Sequence, residues 1–101
     1  MRLYEVIWKE VFVDKLEQKH RVMPDEVEQV LFSIFSKPFI RRAEKGRVQG
    51  EDVYVAYGQT AAGRYLVVFF ILKYQTAALP ISARDMTQAE RRYYAQQRQT
   101  R

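Results

Sequence analysis

Arg41, Arg42, Lys45, Arg47, Arg64, Arg84, Arg91 and Arg92 form a basic series along the later part of the chain, and Tyr54, Tyr57, Tyr65, Tyr74, Tyr93 and Tyr94 interleave with them. An arginine fork binds a phosphate through two parallel hydrogen bonds and stays charged. Aromatic faces stack unpaired bases. Cleaving RNA without a metal needs a proton taken from the ribose 2′-hydroxyl as it attacks its own phosphate. It also needs a proton for the leaving oxygen and a cation for the charge on the phosphorane. Arginine suits the last role, and His, Glu or a perturbed Tyr or Lys suits the others.

The single histidine, His20, ends a predicted helix, where a cation gains from the helix dipole. A capping or core role therefore competes there with a site role. Arg84 follows a predicted strand and precedes a helix, a place where functional groups gather. It is equally placed to pair with Asp85 or to bind the last carbonyls of a neighbouring helix. Thr87-Gln88-Ala89-Glu90 is a capping box, which accounts for Glu90 without chemistry. Tyr93 and Tyr94 lie about 100° apart on a helix, so one packs on the sheet and the other is exposed.

Other chemistries fall away. With no cysteine and one histidine, closed metal sites lack ligands, and the acids Asp25, Glu26 and Glu28 suit a helix start. No serine stands in a nucleophile motif. Gly46-x-x-x-Gly50 lacks the helix and the Lys-Ser/Thr of a phosphate-cradling loop. The 101 residues are one domain's worth, and 48% hydrophobic with 14% aromatic content excludes a disordered chain. The net charge of +5 hides a division: residues 1–36 carry −2 and residues 37–101 carry +7, which suggests an anionic partner, with nucleic acid the leading candidate. The longest apolar run, residues 65–72, is too short for a membrane helix of about 20 residues. No signal peptide is read at the N-terminus, so a cytoplasmic, membrane-free protein is expected.

The elements that must position these groups follow from periodicity. Leu3 to Trp8 reads as a strand, and Lys9 to His20 as a helix with Phe12 and Leu16 on its apolar face. Met23-Pro24-Asp25-Glu26 starts a second helix, whose stripe is Val27, Val30, Leu31 and Ile34 and which Ser36-Lys37-Pro38 ends. Pro38 to Arg47 reads as a basic strand closing in a turn at Glu44-Lys45-Gly46, and Val48 to Asp52 as loop. Val53 to Tyr57 is a strand and Gly58 to Gly63 a hairpin loop. Arg64 to Lys73 is a strand apolar on both faces and hence central. After a turn over Tyr74 to Ala78, Leu79 to Ala83 is a further strand, with Pro80 at an edge or where no N–H is needed. A polar helix runs from Thr87 to Gln96, and residues 97–101 are expected to fray. The order β-α-α-β-β-β-β-α predicts one compact α+β domain over residues 1–96, with a mainly antiparallel, twisted sheet packed by helices. The arginines are expected to converge on a single exposed concavity.

Ile81-Ser82-Ala83-Arg84-x-x-Thr87-x-x-Glu90-Arg91-Arg92-x-Tyr94 resembles the C-terminal signature of BrnT-type toxins. Trp8, Lys19-His20 and Val22 are similar to the family's N-terminal pattern, and Gly58 and Leu66-Val67-Val68 fall at its glycine turn and apolar strand. The resemblance implies a RelE-like fold and a metal-independent endoribonuclease toxin of a type II toxin–antitoxin module, with no cofactor. It implies a cognate antitoxin with a ribbon-helix-helix domain, the complex repressing its own operon, so that DNA is met only through the antitoxin. Arg84 and His20 match as catalytic candidates, with Tyr94 sharing proton transfer. Lys19, Arg41, Arg42, Lys45, Arg47, Arg64, Arg91 and Tyr93 are the RNA-binding candidates. The chain departs from the pattern at Lys9, Arg21, Val53 and Gln59, where the family has Asp, Gly, Arg and Arg; Arg41, Arg42 and Arg64 are the substitutes at hand for the two strand arginines. A non-catalytic RNA-binding or partner-binding regulator of the same fold is the alternative.

Overall fold

The computed structural model describes residues 2–32, 38–44 and 51–99. Ile34, Ser36, Lys37, Lys45, Arg47 and the expected turn and loop at 45–50 lie outside the described residues. The chain order is β1 (Glu5–Val6), α1 (Glu10–His20), α2 (Pro24–Phe32), β2 (Phe39–Glu44), β3 (Val53–Gln59), β4 (Tyr65–Lys73), β5 (Ala77–Asp85) and α3 (Gln88–Gln99). The strands form one sheet in the order β1-β5-β4-β3-β2. β1 runs parallel to β5, and every other pair is antiparallel.

The centre of the sheet is β4, because its side chains are apolar in both directions. Leu66, Val68 and Phe70 join Ala56, Ala78 and Ala83 in a core closed by Leu16 of α1, Val22, and Val27, Val30 and Leu31 of α2. The alternate residues Val67 and Phe69 meet Val55, Tyr57, Met86 and Tyr94 in a second core under α3. Period-two alternation thus sets which side chains can face α3. Among the described residues, no helix is long and apolar enough to cross a membrane.

Chain punctuation explains the joints. α1 ends at Arg21, which takes a left-handed backbone with φ 53° while Val22 N–H closes on the Leu16 carbonyl at 3.1 Å. This is the helix-end position that favours glycine, the residue the resembling family has there. α2 starts after Met23, whose N–H donates to the Glu26 carboxylate at 3.0 Å, the return arm of a cap.

Several boundaries differ from the sequence reading. The first strand is only Glu5–Val6, extended by Tyr4 N–H on the Thr76 carbonyl and Ile7 N–H on the Ala78 carbonyl, both at 2.8 Å. β5 begins at Ala77 and runs to Asp85, so Arg84 lies inside a strand. Pro80 is not on an edge strand. The β4–β5 register slips between Phe69 and Phe70, which face Ser82 and Pro80, so Ile81 is the extra residue of a bulge. The pairing with β1 covers only Ala77 and Ala78, so nothing on that side asks for a proline N–H. α3 continues past Gln96 to Gln99.

Gly58 also lies within β3, not in the hairpin loop. A Cβ there would sit 2.9 Å from Val30 Cγ1 and 3.7 Å from Pro38 Cβ, because α2 presses directly on the strand. Gly58→Ala is therefore expected to destabilise the fold by about 1–3 kcal/mol through overpacking. Urea unfolding measures it, and a double-mutant cycle with Val30→Ala, which clears the clash at a cavity cost of its own, should show the two losses to be less than additive.

Candidate functional site

The β2–β3 and β4–β5 registers place Arg41 opposite Val55 and Arg84 opposite Val67, so both arginines emerge on the α3 face of the sheet. Tyr57 of β3 lies on the same face. α3 closes over them because its capping box forms: Thr87 N–H donates to Glu90 Oε1 at 2.8 Å, and Glu90 N–H donates to Thr87 Oγ1 at 3.2 Å. The same carboxylate receives the Arg84 fork, Nη1 to Oε1 at 2.7 Å and Nη2 to Oε2 at 3.0 Å.

The Arg84–Glu90 pair is partly open to water, the arginine side chain at 36% exposure and the glutamate at 22%. Its hydrogen bonds to Arg84 hold the Glu90 carboxyl below the usual carboxylate range against the effect of burial, and the Thr87 N–H adds to this. The Glu90 carboxylate in turn raises the Arg84 pKa, with a smaller contribution from Tyr57. Arg41 Nη2 donates to the Tyr57 hydroxyl at 3.0 Å. The Tyr93 ring meets Phe39 edge-on at 5.6 Å and Tyr57 at 5.3 Å. Arg41, Tyr57, Ala89, Glu90 and Tyr93 line an open hollow of about 520 Å³, with Arg84 behind Glu90. A phosphate that displaced the Glu90 carboxylate would meet two guanidiniums and a phenol hydroxyl.

The expected single concavity of arginines is not what forms. Arg42, opposite Tyr54, emerges on the other face of the sheet from Arg41 and lies 3.6 Å from Asp52. Arg64, an RNA-binding candidate from sequence, is a staple. Its Nε and Nη2 donate to Asp85 at 2.7 and 3.1 Å, its Nη1 to Glu26 at 3.1 and 3.2 Å, and its Nη1 and Nη2 to the Arg21 and His20 carbonyls at 2.9 and 3.1 Å. The end of α1, the start of α2 and the end of β5 are thereby tied together, and the fork has no donor left for RNA. Arg91 lies on the opposite flank of α3 from the hollow, 4.1 Å over the Tyr65 ring.

Two catalytic candidates are also displaced. Tyr94 is 1% exposed and packs edge-on to Tyr65, so Tyr93 is the tyrosine that faces the hollow. His20 ends α1 near Asp85, whose side chain points away from that of its neighbour Arg84. His20 and Arg84 are thus not brought together, and Lys19 sits exposed beside His20. Lys45 and Arg47 lie outside the described residues. The sequence does not single out Tyr57 among its interleaved tyrosines, and it offers Glu90 as part of a capping box. The capping box accounted for Glu90, yet a carboxylate has enough lone pairs to serve a cap and a guanidinium together. Among the described residues, no three His, Cys, Asp or Glu side chains gather as a metal-holding group.

Fold and hollow together describe a small α+β protein with an arginine- and tyrosine-lined hollow beside the start of its last helix. The chain belongs to the family of ribonuclease toxins, BrnT, of type II toxin–antitoxin systems, whose model matches residues 8–90. Its fold is similar to the 1.1 Å crystal structure of the Brucella abortus ribonuclease toxin BrnT, at 21% identity and a TM-score of 0.56 over 83% of this chain and 97% of that one. None of the curated proteins compared matches the chain.

Proposed function

We propose that this chain cuts RNA in the hollow beside α3, without a metal, as the toxin of a two-gene module. Arg41 and Arg84 hold the scissile phosphate, Tyr93 stacks on a base, and the phosphate takes over the Arg84 fork from Glu90. The freed Glu90 carboxylate accepts the 2′-hydroxyl proton. The 2′-oxygen bonds to phosphorus, the bond to the 5′-oxygen breaks, and that oxygen takes the Tyr57 hydroxyl proton. The products are a 2′,3′-cyclic phosphate and a 5′-hydroxyl. One observation carries the reading: Arg41 donates to the Tyr57 hydroxyl in the same hollow that Glu90 lines, and the Glu90 carboxylate holds the Arg84 fork.

The family likeness supports the rest of the proposal. A RelE-like domain acts in the cytoplasm and is neutralised by a ribbon-helix-helix antitoxin, and only that complex meets DNA. The test is a purified sample with a defined oligoribonucleotide and a chelator. Cleavage that persists with EDTA and leaves cyclic phosphate ends is expected. Intact RNA, or cleavage abolished by the chelator, overturns the reading.

The second reading, a non-catalytic RNA-binding regulator, is favoured by one feature: Glu90 already fills the Arg84 fork. It predicts salt-dependent RNA binding with no cut.

A further inference from the structure

The two flanks of α3 are chemically unlike. At about 100° per residue, Ala89, Glu90 and Tyr93 fall on one side of the helix, above the hollow described, and Tyr94 points into the sheet. Arg91, Arg92 and Arg98 fall on the other side, around a second hollow of about 610 Å³ floored by Tyr65 and Met86. That volume lies within the range of small-ligand sites, about 300–1,000 Å³. Both hollows reach the first turn of α3, through Gln88 on one flank and Ala89 on the other.

Among the described residues, no carboxylate lines the second hollow. Glu90 is the one acid on α3, and it is turned to Arg84 on the far flank. Among the described residues, none of the three arginines has a carboxylate partner. Their placement is nonetheless not loose. The Arg91 guanidinium stacks 4.1 Å over the Tyr65 ring, and Arg98 lies 5.5 Å over the Tyr94 ring while donating to Gln59 Oε1 at 3.3 Å. Stacking fixes the plane of a guanidinium but leaves its edge donors for an acceptor. Held cations cost less ordering on binding than free ones. Three uncompensated positive charges around one hollow repel each other, and a polyanion relieves the repulsion.

We propose that this second hollow is an RNA backbone subsite, in which Arg91 and Arg98 hold a phosphate of the strand whose scissile phosphate lies in the first hollow. The inference rests on the reading of the first hollow as the cleavage site, and it makes the protein sensitive to substrate length. A single strand passing over the first turn of α3 reaches both hollows. A very short one reaches only the first.

The test uses the full chain and its Arg91→Gln/Arg98→Gln double variant, with a fluorescent 12-nucleotide single strand and a trinucleotide, over a series of salt concentrations. Each phosphate contact to a single strand contributes about 0.7 to the slope of log affinity against log salt. With one phosphate held by the pair, the double variant should therefore lose about 0.7 from that slope on the 12-mer and bind it at least tenfold more weakly. Trinucleotide binding should not change. On a long substrate KM should rise with kcat unchanged. An Arg91→Lys/Arg98→Lys variant keeps the charges and should keep most of the slope, which separates charge from folding.

An unchanged slope on the 12-mer overturns the proposal, as does an equal loss for both lengths. So does retained RNA affinity with lost antitoxin binding, which would assign the hollow to an acidic protein segment. If the unaltered chain binds the 12-mer but never cuts it, the cleavage reading falls while the slope experiment still decides the subsite.

Discussion

Arg84→Ala is expected to lower RNA cleavage by about 10²–10³-fold, the usual cost of removing one aimed donor from developing charge. Folding should barely notice. The Arg84–Glu90 pair is partly exposed, so its loss should cost no more than about 1 kcal/mol. Glu90 keeps its bonds to Thr87 in the variant, so α3 keeps its start. Arg84→Lys should recover only part of the rate, because an ammonium is a point charge without the fork.

Glu90→Gln is the companion measurement. Its amide oxygen can still take the Thr87 N–H, but it accepts no proton from a 2′-hydroxyl. A loss of about 10²-fold in kcat is expected. The Glu90 carboxyl is held down by Arg84, so the acid limb of kcat/KM in the unaltered chain should lie below the ordinary carboxylate range and vanish in the variant. Arg84→Ala cutting at the normal rate with a normal melting curve would end the proposed mechanism.

Arg64→Met should do the opposite: lower stability and spare RNA binding. The substitution leaves Glu26, Asp85 and two backbone carbonyls facing each other without the cation that joins them. Hydrogen bonds to charged groups, discounted for the partial exposure of the cluster, put the loss at about 2–3 kcal/mol. For a domain of this size that is on the order of 10 °C in Tm. The pH dependence has a definite sign. Hydrogen bonding to Arg64 lowers the Asp85 pKa, so this stabilisation is complete above the unfolded carboxylate value of about 4 and is lost as pH falls through the depressed one. The Arg64→Met variant should show a flatter acid limb in urea midpoints against pH. A weakened salt slope for RNA with an unchanged Tm would instead make Arg64 a phosphate ligand.

The parts of this molecule that were legible in its sequence are those set by local periodicity. The apolar run from Tyr65 to Leu72 announced a central strand, and Thr87-x-x-Glu90 announced the start of α3. Both signals depend on neighbours within a few residues. The edges were less legible, since β5 reaches back to Ala77 and Ala78 by pairing with Lys73 and Leu72 of β4 on one side and with Glu5 and Val6 of β1 on the other. The site was legible only in its residue types. Arg41 and Arg42 are adjacent and identical in chemistry, yet strand alternation sends one to the hollow and the other to Asp52. Arg64 looked like a surface cation because its partners, Glu26 and Asp85, are 38 and 21 positions away. Tyr57 became a site residue through a register that no local signal encodes.

A single oxygen of Glu90 serves both the amide that begins the last helix and the fork of Arg84. An anion can enter that fork only by evicting a group the helix itself depends on. Breaking the partly exposed Arg84–Glu90 pair costs no more than about 1 kcal/mol, roughly a fivefold factor in occupancy. The resting protein therefore carries its own competitor, a latch that small stray anions must overcome unaided. A longer ligand that also engages Arg41 and Tyr93 offsets it with neighbouring contacts, so discrimination begins before any bond is broken.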